Sequence, residues 1–242
     1  MNPHANETEW DSMKILLAED ERRMADALLE LLRQEGYDVD WFANGAEALL
    51  AAQTNVYDAL ILDVMLPGSD GFAITSALRR EGISTPILML TARVEDMDKI
   101  MGLTIGADDY ITKPLHPLEM VARVKAQLRR YTRYNQGPKH NSQLIDLRGL
   151  TINNQTHECS LFGEPLSLTP IEFSILWLLC ENAGRVISSE ELFETVWGDK
   201  YLDSNNTVMV HIRRIREKIE INPKEPKYLK VVWGIGYKIE KL

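Results

Sequence analysis

The sequence is short of cysteine: 242 residues contain two, Cys159 and Cys180. Two thiols cannot build the disulfide framework of a small secreted domain, and a reducing cytoplasm is the expected location. Long apolar runs are absent as well. None approaches the roughly 18 residues of a membrane helix, so no direct membrane association is expected. Residues 1–12 are polar and acidic, unlike a basic and then apolar leader. They read as an N-terminal extension, with Met13 as the natural start. No segment recurs at a fixed period, which excludes a solenoid. An overall excess of positive charge is also missing. Lys and Arg number 27 against 36 Asp and Glu, a formal charge of −9, which taken alone argues against a nucleic-acid partner. What remains is an ordinary globular composition, too apolar for disorder. The length suits one large domain or two ordinary ones.

The distribution of charge changes that picture. Residues 1–132 hold 13 basic and 22 acidic groups, whereas residues 133–242 hold 14 of each. Within the second part, residues 205–242 hold 9 basic and 4 acidic groups. An acidic first part and a basic end predict two modules with different partners.

The first module alternates strand and helix. Strands are expected at Lys14–Ala18, Tyr37–Phe42, Ala59–Leu62, Pro86–Leu90 and Asp109–Thr112. Helices are expected at Glu21–Gly36, after the N-cap Asn44, at Gly71–Glu81, near Val94–Thr104 and near Pro117–Arg130. Gly36 serves as a helix stop, and Glu47 stands three residues after Asn44. Five strands alternating with five helices predict one doubly wound parallel sheet. Such a sheet binds its ligand at the carboxyl ends of its strands. Glu19 and Asp20 follow the first strand, Asp63 ends the third, Thr91 ends the fourth and Lys113 follows the fifth. All five should meet on one rim. Clustered carboxylates raise one another's pKa unless a cation neutralises them. Oxygen donors select a hard cation, here Mg²⁺. With Lys113 and Thr91 facing it, the rim suits a phosphoryl group on Asp63, formed by carboxylate attack on phosphorus.

The segments Ala18–Glu21, Leu62–Gly71, Leu90–Ala92 and Gly106–Pro114 resemble the motifs of a two-component response-regulator receiver domain over residues 13–133. The resemblance implies that a sensor histidine kinase phosphorylates Asp63. It implies that Asp20, Asp63 and the carbonyl of Met65 bind Mg²⁺, with Glu19 assisting through water. It implies that Thr91 and Lys113 contact the phosphoryl group and that Tyr110 is the switch aromatic. Met65 is not a carboxylate, so the general acid of an aspartate phosphatase is lacking. Only slow self-phosphorylation from phosphodonors and slow self-dephosphorylation are expected, not enzymatic turnover. Lys99, Asp108, Asp109, Glu119, Arg123 and Arg130 read at first as a solvated charged face. Resemblance to the OmpR/PhoB subfamily makes them a dimer interface instead, pairing Lys99 with Glu119 and Asp109 with Arg130 across a two-fold axis. Thr104 stands where many relatives carry an acidic partner for Arg123.

Residues 133–143 are polar, with Gly137-Pro138 at their centre, and read as a linker. The expected domains are therefore 13–132 and 144–242. In the second, four short strands near residues 144–168 precede a helix opened by the capping box Thr169-Pro-Ile-Glu172. A second helix opens at Ser188. A third is expected at Asn205–Glu220, with Val208, Ile212, Ile215 and Ile219 as its apolar stripe. At 100° per residue, Asn206, Val210, Arg213 and Glu217 point away from that stripe, with Arg214 alongside. A hairpin follows at Tyr228–Val232 and Tyr237–Glu240. Three helices and a hairpin predict a winged helix-turn-helix with its third helix in the major groove.

Leu168–Phe173, Asn206–Lys218 and Val232–Tyr237 are similar to the OmpR/PhoB effector domain. Matching positions imply DNA contacts from Asn206, His211, Arg213, Arg214 and Arg216, with His211 and Arg216 on phosphates. Trp233 occupies a wing position where relatives often carry Arg, which leaves Lys230 or Lys238 to reach phosphates. The wording of Gly102–Pro114, Val124–Arg130 and Trp233–Lys241 resembles regulators of vancomycin-resistance operons. The expected function is a phosphorylation-gated transcription regulator, acting at cell-wall or glycopeptide-resistance genes. Its implied partners are a sensor histidine kinase, double-stranded promoter DNA, RNA polymerase and a second copy of the chain. The rival readings are a constitutive DNA-binding regulator and a Mg²⁺-dependent phosphohydrolase.

Overall fold

The computed structural model describes residues 13–91, 105–114, 116–135, 144–198 and 205–241. The N-terminal extension, the helix expected near 94–104 and residues 136–143 of the expected linker lie outside the described residues.

The first module is a five-stranded parallel sheet. Its strands are β1 (Lys14–Ala18), β2 (Asp38–Phe42), β3 (Ala59–Asp63), β4 (Ile87–Thr91) and β5 (Asp109–Thr112), in the order β2-β1-β3-β4-β5. Strand residues point alternately to the two faces, and each face is covered by helices. Ala59 and Ile61 of β3 pack with Leu28 and Leu32 of α1 (Arg22–Gln34) and with Met120 and Val124 of α4 (Pro117–Asn135). Leu60 and Leu62 pack on the opposite side with Ala48 and Ala52 of α2 (Gly45–Thr54) and with Ile74 and Leu78 of α3 (Gly71–Arg80). Side-chain caps start two of these helices. Asn44 Oδ1 accepts the amide of Ala46 at 2.8 Å, and Asp70 Oδ1 accepts that of Ala73 at 2.7 Å. The helix α4 continues to Asn135, past Arg133 where the linker was expected to begin.

The second module begins with an antiparallel sheet of β6 (Leu144–Leu147), β7 (Leu150–Asn153), β8 (Glu158–Leu161) and β9 (Glu164–Pro165). The last strand is shorter than the expected Pro165–Leu168, and one further ladder hydrogen bond runs from the Leu166 amide to the Cys159 carbonyl at 2.8 Å. Three helices follow: α5 (Pro170–Glu181), α6 (Ser189–Trp197) and α7 (Asn205–Ile219). The predicted capping box is formed. The Glu172 amide donates to Thr169 Oγ1, and the Thr169 amide donates to Glu172 Oε2. The expected stripe Val208, Ile212, Ile215 and Ile219 packs into one core with Phe173, Leu176 and Trp197. The hairpin of β10 (Leu229–Val232) and β11 (Gly236–Ile239) closes the module. It is tied back by paired hydrogen bonds between Ile187 and Tyr237. The fold is thus a doubly wound receiver-type domain followed by a winged helix. No described helix is long and apolar enough to cross a membrane.

Candidate functional site

The parallel register brings the expected rim residues together. Asp63 ends β3 and is buried. The chain leaves β3 in a tight turn in which the Met65 amide donates to Asp63 Oδ1 at 3.2 Å. The turn packs against the start of α3, where a Cβ on Gly71 would stand 2.4 Å from the Asp63 carbonyl oxygen. Only glycine allows that approach. Lys113 follows β5, and its amide donates to the Thr91 carbonyl at 2.6 Å. Its Nζ lies between two carboxylates, 2.7 Å from Asp63 Oδ2 and 2.8 Å from Glu19 Oε2. The other Glu19 oxygen accepts the Glu21 amide at 3.1 Å, and the Glu19 carbonyl accepts the Trp41 indole N–H at 2.9 Å. Asp20 is exposed at the mouth of the site. Thr91 is buried at the end of β4, and Tyr110 is half-buried on β5 beside the α2–α3 core.

The electrostatics follow from this geometry. Burial pushes the Glu19 carboxyl above its ordinary pKa, the Lys113 hydrogen bond pulls it down, and the Asp63 charge pushes it up again. Burial lowers the pKa of Lys113, but hydrogen bonds to Asp63 and Glu19 outweigh it and leave the ammonium held above its usual value. One carboxylate oxygen from each of Glu19, Asp20 and Asp63 lies within 4.8 Å of the others. Three hard oxygen donors at that spacing fit a divalent cation such as Mg²⁺. The site can therefore hold a cation and a carboxylate nucleophile side by side, with an ammonium beside them.

The face expected to dimerise is arranged within the chain. Asp108 is fully buried, and its Oδ2 accepts from Arg79 at 2.8 Å and from the Ile87 amide at 2.9 Å. That corrects its reading as a surface contact. Its burial has a cause that spacing alone did not reveal, since Arg79 lies 29 residues away in the sequence. Arg123 bonds Asp109 at 3.1 Å and Glu119 at 3.0 Å. Asp109 and Glu119 are thus both occupied by one arginine of the same chain. Lys99 and the side chain of Arg130 lie outside the described residues.

The third helix of the winged module departs further from expectation. Arg213 is exposed and pairs with Glu217 at 3.0 Å. His211 is fully buried and lies 5.5 Å, ring to ring, from Trp197. In this arrangement it is a packing group rather than a phosphate contact. Val210, expected on the outer face, is also buried. Arg214 is buried too, its Nη2 2.7 Å from Glu172 Oε1. Arg216 donates twice to the Leu229 carbonyl, at 2.9 and 2.8 Å, and so ties the helix to the hairpin. Lys230 and Lys238 both pair with Glu240, at 3.4 and 3.1 Å. Trp233 stands at the hairpin tip, 89% exposed. The side chain of Asn206 lies outside the described residues. The sequence reading missed Arg79 and Glu172 as charged members of the interior, and Lys218 as a partly exposed partner of Glu172; the capping box singled out Glu172 only as a cap.

Comparison with known proteins agrees with both halves of this architecture. Residues 15–125 match the response regulator receiver domain, and residues 163–239 match the C-terminal domain of transcriptional regulatory proteins. The chain is 52% identical over 231 residues to the regulatory protein VanR of Enterococcus faecium and 50% identical to VanRc of Enterococcus gallinarum. Each match covers 95% of this chain and 100% of the relative. It is 41% identical over 234 residues to the alkaline phosphatase synthesis transcriptional regulatory protein PhoP of Bacillus subtilis, covering 94% of this chain and 97% of that one. A solved structure of a RitR mutant superposes with a TM-score of 0.74 at 28% identity, covering 95% of this chain and all of that one. The response regulator DrrB of Thermotoga maritima superposes with a TM-score of 0.50 at 33% identity and the same coverage. With a receiver domain, a C-terminal transcriptional-regulator domain and VanR-like relatives along nearly its whole length, the chain belongs to the OmpR/PhoB-type two-component response regulators.

Proposed function

We propose that Asp63 accepts a phosphoryl group from a sensor histidine kinase and that this gates binding of the winged helix to promoter DNA. The observation that carries the reading is the Glu19–Lys113–Asp63 cluster at the carboxyl rim of the sheet. An Asp63 carboxylate oxygen attacks phosphorus, the bond from phosphorus to the imidazole nitrogen breaks, and the imidazole leaves with its electron pair. Glu19, Asp20, Asp63 and the Met65 carbonyl would hold Mg²⁺, which when bound offsets the charge on the phosphoryl oxygens. Lys113 takes the opposite side of the same group, and the Thr91 hydroxyl donates to it as Tyr110 turns inward. The phosphorylated form is favoured to the extent that these contacts differ between the two arrangements.

The receiver then dimerises, with Asp109, Glu119 and Arg123 exchanging partners within the chain for partners across a two-fold axis. The DNA-binding residues are Arg213, with Asn206, Arg214, Lys230, Trp233 and Lys238 around it, and RNA polymerase is the downstream partner. The strong likeness to VanR and VanRc favours promoters of cell-wall or glycopeptide-resistance genes and a cytoplasmic location. Turnover is confined to slow self-phosphorylation and self-dephosphorylation. The experiment is intact-mass analysis with light scattering, using Mg²⁺ and acetyl phosphate, on the wild type and on Asp63→Ala. A gain of one phosphate and a shift to dimer, both lost in the variant, is the expected result. A dimer formed regardless of phosphate would favour constitutive DNA binding instead.

A further inference from the structure

The acidic residues Glu19 and Asp20 are fastened to a neighbouring strand. β2 is the edge strand of the parallel sheet, and its register sets Trp41 beside Leu17 and Phe42 beside Ala18. The pairing runs one residue beyond β1, where the Glu19 amide donates to the Phe42 carbonyl at 3.1 Å. The Glu19 carbonyl then accepts the Trp41 indole N–H at 2.9 Å. Both main-chain polar groups of Glu19 are therefore bonded to β2. The helix that follows gives less support. Glu21, the N-cap of α1, makes no side-chain hydrogen bond to the first turn.

The indole ring is itself fixed. The Arg22 guanidinium lies over it, 4.5 Å from the ring centroid, and Arg22 Nε is held by Asp26 at 3.0 Å. A stacked guanidinium favours one ring plane and shields that face from water. The carbonyl that Trp41 holds belongs to the peptide joining Glu19 to Asp20, and the plane of that peptide decides where Asp20 leaves the chain. Glu19 is fully buried, with its carboxylate tied to Lys113 and to the Glu21 amide. Asp20 is exposed, so packing does not fix it and the backbone sets its place relative to Asp63. A rotation of this peptide would move Asp20 while the Glu19 carboxylate stayed where it is.

We propose that Trp41 is a positioning residue for the cation site: its indole N–H sets the Glu19–Asp20 peptide so that the carboxylates of Glu19, Asp20 and Asp63 converge within 4.8 Å of one another. This rests on the reading of that cluster as a divalent-cation site. Trp41 supplies no ligand atom. It acts through one backbone carbonyl, and outer partners of this kind hold ligands in the arrangement the ion requires. A carboxylate already in place does not have to be ordered when the ion binds. Mg²⁺ demands near-ideal octahedral geometry and is therefore sensitive to displacement of a single ligand.

The test uses the full chain without phosphodonor, with Mn²⁺ as the probe, since carboxylate sites that take Mg²⁺ also take Mn²⁺. Binding is read from water-proton relaxation, and displacement by Mg²⁺ is followed in the same signal. Trp41→Phe keeps an aromatic ring beneath Arg22 and removes the donor. It is expected to lower the affinity for both ions about 10-fold. Tyr57→Phe is the control. It removes a 2.7 Å hydrogen bond to Asp40 of the same strand and leaves the rim alone, so it is expected to bind both ions as the wild type does. A merely structural indole would lower the urea midpoint of Trp41→Phe without changing the affinity of the folded protein. A natively folded Trp41→Phe with wild-type affinity, or an equal loss in both variants, overturns the proposal. Should Trp41→Phe fail to fold, benzothienylalanine at position 41, with sulfur in place of the N–H in a ring of the same shape, decides by the same outcomes. Absence of saturable Mn²⁺ binding in the wild type would instead remove the cation-site reading on which the positioning role rests.

Discussion

Lys113 is the residue on which the rim depends in the arrangement described. Its side chain is 15% exposed, and its ammonium neutralises two carboxylates that would otherwise face each other across the site. Replacing it with methionine keeps the volume but leaves those charges opposed, and removing one partner of a buried ion pair is strongly destabilising. Because exposed Asp20 leaves one side of the site open to water, the expected loss for Lys113→Met is about 3 kcal/mol, at the low end of that class. Urea midpoints at neutral pH would measure it. Mg²⁺ should restore more stability to the variant than it adds to the wild type, since the cation then performs the neutralisation alone. A variant as stable as the wild type would show that Lys113 does not balance the site. At this scale the sequence was informative where chemistry and register coincide. Asp63, Thr91 and Lys113 each sit at or just past a strand end, and parallel pairing brings strand ends together. It was uninformative for His211 and Arg214, because whether a polar side chain on a helix is covered depends on what packs against it, here Trp197 and Glu172.

Among the elements, the wing shows how close packing sets a residue type. A Cβ on Gly236 would stand 2.0 Å from the Ile187 carbonyl oxygen, in the strand-like pairing that docks the hairpin onto the loop before α6. Gly234 has φ of +74° but open space around it. Alanine at the two positions should therefore act differently. Gly234→Ala carries only the left-handed backbone cost, about 1 kcal/mol. Gly236→Ala must displace backbone and should cost more, about 3 kcal/mol, with loss of the Ile187–Tyr237 hydrogen bonds visible by amide exchange. Equal effects would mean that the hairpin is not pinned at Ile187. Helix and strand existence was readable from periodicity throughout the described residues, and the Thr169 capping box was readable residue by residue. The exceptions are instructive. The strand predicted at Pro165–Leu168 shrinks to Glu164–Pro165 with one further bond from the Leu166 amide to Cys159, because Leu168 turns into the core ahead of the cap. The helix α4 outruns its predicted end at Arg130 because polar residues 131–135 carry no apolar stripe to announce it, yet contain nothing that stops a helix.

The whole molecule presents an electrostatic problem, since an acidic chain is to bind a polyanion. Its net charge of −9 is matched by the excess of acids in residues 1–132, and its basic excess lies in residues 205–242. Few cations are then available to neutralise phosphates, and in the arrangement described two more are held elsewhere. Arg214 is buried against Glu172, and Arg216 is committed to the Leu229 carbonyl. Arg213 remains exposed, and an exposed pair with Glu217 is too weak to withhold it from a phosphate. The salt dependence of duplex binding reads this partition directly, because each phosphate contact adds about 1 to the slope of log affinity against log salt. Arg213→Ala should lower the slope by about 1 for each protomer bound. Arg216→Ala should leave the slope near that of the wild type. It should instead destabilise the winged helix by about 2 kcal/mol, the worth of a charged donor to a half-buried carbonyl. Anisotropy titrations over a range of salt, together with urea midpoints, separate the two effects. If Arg216→Ala lowered the slope as Arg213→Ala does, the helix-to-hairpin tie would have to open on binding, and Arg216 would leave Leu229 for the DNA backbone.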